Sequence, residues 1–79
     1  AMAQGRFYLT WLMRREGRSR DEWEPVIEAS RQAYRRLAEE AGRRGQAALQ
    51  GRHQQDLEAA IRLSRMELGD LQGLPLPSQ

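Results

Sequence analysis

The chain has no cysteine, no lysine, one histidine, three prolines and five aromatic residues among its 79 residues. Each shortage excludes something. Without cysteine there is no disulfide framework and no thiolate zinc site. One histidine cannot build a His-rich metal site, so neither a metal nor a cofactor is expected. No stretch approaches the roughly 18 consecutive apolar residues that a spanning helix needs. The longest apolar-rich run, Phe7 to Met13, is interrupted by Thr10. No apolar run leads into a small-residue cleavage site, so no signal peptide is expected and an intracellular location, cytoplasmic or nuclear, is. A chain this short buries only about 60–65% of its unfolded surface. Building the concave walls of an enzyme pocket from so little is difficult, and the expectation is a non-enzyme.

What is present is charge of both signs. Thirteen basic and eleven acidic side chains leave a net charge of +2, and every base other than His53 is arginine. The pI of 9.9 therefore reflects the high pKa of arginine more than an excess of positive charge. The signs alternate in blocks. Residues 1–20 carry five Arg and Glu16, residues 21–41 three Arg and six acids, residues 42–55 three Arg, and residues 56–79 two Arg and four acids. A nucleic-acid surface presents a basic stripe without interleaved acids, so no nucleic-acid partner is expected.

The pattern predicts an all-α fold: a small three-helix arrangement, a helical hairpin followed by a long amphipathic helix. Residues 1–3 read as a cloning remnant ahead of part of a larger intracellular protein. Residues 4–45 form an aromatic-rich two-helix unit, 46–69 the long helix and 70–79 a flexible tail ending Leu-Pro-Leu-Pro-Ser-Gln. The first helix is expected from Gln4 to Glu16, with Phe7, Tyr8, Trp11 and Leu12 on one face and Gly17 as its stop. Ser19-Arg20-Asp21-Glu22 fits a capping box for the second helix, with Asp21, Glu22 and Glu24 at its dipole-favoured end and Pro25 held to an early position. Its apolar stripe is Trp23, Val26, Ile27, Ser30, Ala33, Tyr34, Leu37 and Ala41, with Gly42 as C-cap and Gly42–Gly45 as a loop. The third helix starts near Gln46, or near Arg52 if Gly51 breaks it, and stops at Gly69.

The informative stretch lies in that third helix. Leu57, Ala60, Ser64 and Glu67 are spaced by three, four and three residues. At 100° per residue they fall within an arc of about 80°, flanked by Ile61 and Leu63. Small residues in the middle of such a face let another backbone approach, and the larger apolar neighbours grip what docks.

This spacing resembles the ubiquitin-interacting motif, over about residues 53–67 of the chain. Leu57 falls on the family's apolar position, Ala60 on its alanine, Ser64 on its serine and Glu67 on its closing acid. The resemblance implies a helix that packs Ala60 into the apolar patch of ubiquitin with Leu57, Ile61 and Leu63 around it. It implies a serine that hydrogen-bonds ubiquitin backbone, with Asp56 and Glu67 meeting the basic rim. The family's leading acidic run falls here on His53, Gln54 and Gln55, and Asp56 stands one place later, which implies weaker binding than a full motif gives. The implied partner is ubiquitin or polyubiquitin, engaged on behalf of the other domains of a parent protein. Lacking lysine, this chain offers no side-chain amine for ubiquitin attachment.

Two alternatives stay open. Leu49, His53, Leu57, Ala60, Ile61, Ser64, Leu68 and Leu71 form one stripe that would serve equally as the core face of a structural or assembly bundle. One face cannot pack inside and bind ubiquitin at once, so the third helix either projects or docks and must be released. Phe7, Tyr8, Trp11 and Trp23 supply either the hairpin's core or, beside Arg14, Arg15, Arg18 and Arg20, a second surface that reads ubiquitin chains.

Overall fold

Three helices, α1 (Met2–Arg15), α2 (Arg20–Arg43) and α3 (Ala47–Arg65), make up the computed structural model, which describes residues 2–67, 69 and 71. No strand occurs among the described residues. The tail assigned to residues 70–79 lies outside them except for Leu71, which is buried in the core. Ala3, grouped by its sequence with a terminal remnant, sits inside α1 and is buried as well.

Two glycines fix both turns by the same geometry. Gly17 has φ 78° and Gly45 φ 72°, the left-handed region that a side chain disfavours. After α1, the Gly17 amide bonds the Arg14 carbonyl at 3.1 Å and the Arg18 amide bonds the Met13 carbonyl at 3.0 Å. After α2, the Gly45 amide bonds the Gly42 carbonyl at 3.1 Å and the Gln46 amide bonds the Ala41 carbonyl at 2.9 Å. Both are Schellman closures, in which a left-handed residue just past the helix turns two amides back onto orphan carbonyls. Gly42 is therefore not the cap its position suggested. It lies inside α2, and Gly45, one turn later, does the turning.

Ser19 is the N-cap of α2 with extended backbone, but its hydroxyl makes no bond to the helix amides; it donates to Glu22 Oε1 at 3.4 Å. Pro25 is tolerated because it comes early, where the Asp21 carbonyl that loses a partner lies near the exposed end. Gly51 does not break α3, whose N-cap is Gln46. α3 does end one turn sooner than Gly69 predicts: Met66 is extended, with φ −74° and ψ 148°.

α2 is the central element, with 24 residues and a length of about 36 Å. α1 runs antiparallel to its first half, since the Ser30 hydroxyl donates to the Ala3 carbonyl at 2.7 Å while Arg14 stacks on Trp23. α3 runs antiparallel to α2 from Gln50, which lies against Gly42, up to Leu63, which meets Arg14. One core follows, built from Ala3, Phe7, Trp23, Ile27, Tyr34, Ala60, Leu63 and Leu71. The two-helix unit and the long helix thus share their apolar interior.

Two predicted stripes shift. On α1 the buried positions are Ala3, Phe7, Thr10 and Arg14, and Leu12 is 49% exposed. On α2 the buried positions are Trp23, Ile27, Ser30, Tyr34, Ala38 and Ala41, while Leu37 is 42% exposed. In both cases a polar or small residue occupies the inward position and a leucine one or two places away faces solvent. Both buried hydroxyls are satisfied: Thr10 donates to the Arg6 carbonyl of its own helix at 2.9 Å, and Ser30 joins α2 to α1.

Candidate recognition helix

α3 carries the candidate binding residues, and its two buried positions are the heart of the predicted face. Ala60 and Leu63 are fully buried. Leu57 is half-buried and packs against the core, and Ile61, Ser64 and Asp56 are half-buried at its edge. Glu67 is exposed and lies past the end of the helix. The predicted contact is therefore split. Its alanine and one flanking leucine lie in the core cluster that holds Phe7, Trp23 and Ile27, its rim is half-buried, and its closing acid is off the helix. A projecting third helix is ruled out in this conformation by the burial of Ala60 and Leu63 in the shared core.

The Ser64 hydroxyl donates to the Ile61 carbonyl of its own helix at 2.6 Å. That local bond needs nothing from α1 or α2, so the hydroxyl can exchange it for another acceptor. Asp56 is in a different position. Burial pushes its carboxyl above the ordinary value, and Arg52 and His53 only partly oppose the shift. A raised carboxyl pKa means that the fold favours the protonated acid, so ionised Asp56 disfavours the packed arrangement at neutral pH.

The second aromatic surface is mostly interior. Phe7 is fully buried and Trp23 is 4% exposed, so neither is a recognition residue on this conformation. Phe7 meets Tyr8 edge-on, with ring centroids 6.3 Å apart. Tyr8 and Trp11 are half-buried, and Arg15 covers the Trp11 ring at 4.6 Å. The Trp23 ring carries Arg14 at 4.6 Å and Arg20 at 4.9 Å. These arginines act on their own aromatics by cation–π contact.

Arg14 is the residue whose role the sequence concealed. It sits among the basic residues at the end of α1, but the spacing Ala3, Phe7, Thr10, Arg14 places it on the buried face. Only 8% exposed, it donates from Nη1 to the Leu63 carbonyl of α3 at 2.6 Å. Its Nε is buried with no partner. Burial, then repulsion from Arg20, pushes its pKa down, and Glu67 pulls it partly back up. Further buried polar atoms without partners are Trp11 Nε1, Arg31 Nε, Tyr34 Oη and His53 Nδ1. Burial, with smaller contributions from Asp56 and Tyr8, raises the Tyr34 hydroxyl to about 12. Such groups cost free energy when water is removed from them.

Among the described residues no helix is long and apolar enough to cross a membrane, and no cluster of three His, Asp or Glu side chains could hold a metal ion. Compared with protein-family models, with curated proteins and with solved structures, the chain matches none of them.

Proposed function

We propose that this chain binds ubiquitin non-covalently through α3, and that the packed three-helix form is its unbound state. The supporting observation is the composition of one helix face: Leu57, Ala60 and Ser64 in register, with Ile61 and Leu63 beside them. Packing that face against α1 and α2 leaves Arg14 and Asp56 desolvated and the Tyr34 hydroxyl without a partner. Ubiquitin's apolar patch would replace the same apolar contacts and return both charged groups to water. Binding then requires α3 to leave the core. Apparent affinity falls by the fraction of molecules in the open form, so a single site is weak and gains from multivalent ubiquitin chains. Tyr8 and Trp11, half-buried on α1, are the part of the aromatic surface that remains open to a second ubiquitin.

A second reading has its own support. The full burial of Ala60 and Leu63 suits a structural or assembly module that uses α3 only as core. Titration of the isotope-labelled chain with mono-ubiquitin, followed by NMR, separates the two. The ubiquitin reading expects shifts centred on residues 56–67, abolished by Ser64→Glu. Ser64 is the informative position because it is half-buried and bonds only its own helix, so the change spares the core. Ala60→Gln would damage both packing and binding. A spectrum unchanged at millimolar ubiquitin leaves the assembly module as the function.

A further inference from the structure

We infer that Arg14 is a latch that both holds α3 closed and shortens it, so that releasing Arg14 completes the recognition face. This inference rests on the ubiquitin-binding reading of α3 for its functional meaning, although its structural half stands alone. In an uninterrupted α-helix the Leu63 carbonyl would accept the amide of the residue four places on, Glu67. Here Arg14 Nη1 takes that carbonyl at 2.6 Å from another helix. The last intrahelical bond nearby is from the Met66 amide to the Arg62 carbonyl at 2.9 Å, and Met66 then turns to extended backbone. No glycine or proline lies at residues 64–67 to explain the stop. Ser-Arg-Met-Glu contains good helix formers, and the stripe continues beyond them.

The consequence concerns Glu67. On an α3 longer by one turn it lies three residues after Ser64 on the same face. In the latched form it is off the helix and exposed, within electrostatic reach of Arg14. Arg14 thus takes the closing acid out of the face and, through Leu63, ties that face to the core. The latch is also costly to hold. The guanidinium is buried over Trp23, no carboxylate among the described residues is hydrogen-bonded to it, its Nε is without a partner, and Arg20 shares the ring. A ligand that draws Glu67 and the α3 face outward lets Arg14 return to water.

The test uses the full chain, isotope-labelled, as wild type, Arg14→Met and Arg14→Lys. Methionine keeps apolar bulk over Trp23 but donates no hydrogen bond; lysine keeps a donor. Without ubiquitin, Arg14→Met is expected to move the Cα shifts of Met66 and Glu67 from non-helical to helical values, and Arg14→Lys to stay close to wild type. Arg14→Met removes the hydrogen bond and the buried charge together, two changes of opposite sign on the closed state, so its readout is the end of α3 and not the affinity for mono-ubiquitin. A second measurement does not depend on that variant folding: in wild type saturated with ubiquitin, Met66 and Glu67 should become helical. If they stay non-helical there and in Arg14→Met, the latch is overturned while ubiquitin binding stands. If Arg14→Met lengthens the helix yet neither protein binds ubiquitin, the binding reading fails and the regulatory role falls with it.

Discussion

The two ends of the molecule are built on different terms. At one end three helices meet, and Phe7, Ile27 and Leu63 are fully buried. At the other, α2 and α3 lie alone: Ala38 and Ala41 are the buried apolar positions there, and Leu37 and Leu49 are 42% and 39% exposed. Small residues make this second contact possible. A side-chain carbon placed on Gly42 would come within 2.7 Å of Gln50 Nε2, so the polar end of the Gln50 side chain, and little apolar area, fills this part of the contact. Full burial of a large apolar side chain contributes about 1.5–3 kcal/mol, several times what an alanine methyl provides. Stability is therefore concentrated at the three-helix end, and that is also where α3 presents Ala60, Leu63 and Ser64. Recognition and folding compete for the same surface, and the N-terminal half of α3, next to the Gly45 turn, buries the fewer apolar side chains.

The comparison breaks most sharply at Phe7. Phe7→Ala at the three-helix end should destabilise by about 3–5 kcal/mol, enough to leave little cooperative thermal melt in a chain of this size. A less drastic lever is Tyr34. Its folded pKa of about 12 exceeds the ordinary value of 10. Between those values the folded state retains a proton that the unfolded state has lost. Stability should thus be intact below about pH 10 and fall by roughly 2–3 kcal/mol as pH rises toward 12. Tyr34→Phe should remove that fall in denaturant titrations, and with no lysine or cysteine in the chain few other side chains titrate in the window. At the two-helix end, Leu37→Gln should change the unfolding free energy from denaturant titration by no more than about 0.5 kcal/mol, because the leucine already faces solvent.

Much of this architecture was legible in the sequence where backbone chemistry is local. Gly17 followed by Ser19 marks the first turn, and the capping position of Ser19 holds. Gly42 and Gly45 look alike as helix stops, since either could take the left-handed position; the chain uses the later one, and α2 gains a turn. The buried stripes were less legible. Leu12 and Leu37 read as core by hydropathy, but Thr10 and Ser30, with their hydroxyls bonded to backbone, and the small Ala38 take the inward places. The candidate face of α3 was legible as a pattern, and its burial was not, because nothing local says what a helix face will meet. Arg14 was least legible of all. Its spacing from Ala3, Phe7 and Thr10 marks the buried face, but nothing local shows that it takes a carbonyl of a different helix.

Amide hydrogen exchange with and without saturating mono-ubiquitin bears most directly on the central claim that one face serves either the core or the partner. The account predicts that residues 57–65 gain protection on binding while amides around Phe7 and Ile27 lose it, because α3 has left them. Protection gained in α3 with Phe7 and Ile27 unchanged would contradict the claim, since ubiquitin would then be docking on the outer side of an intact bundle.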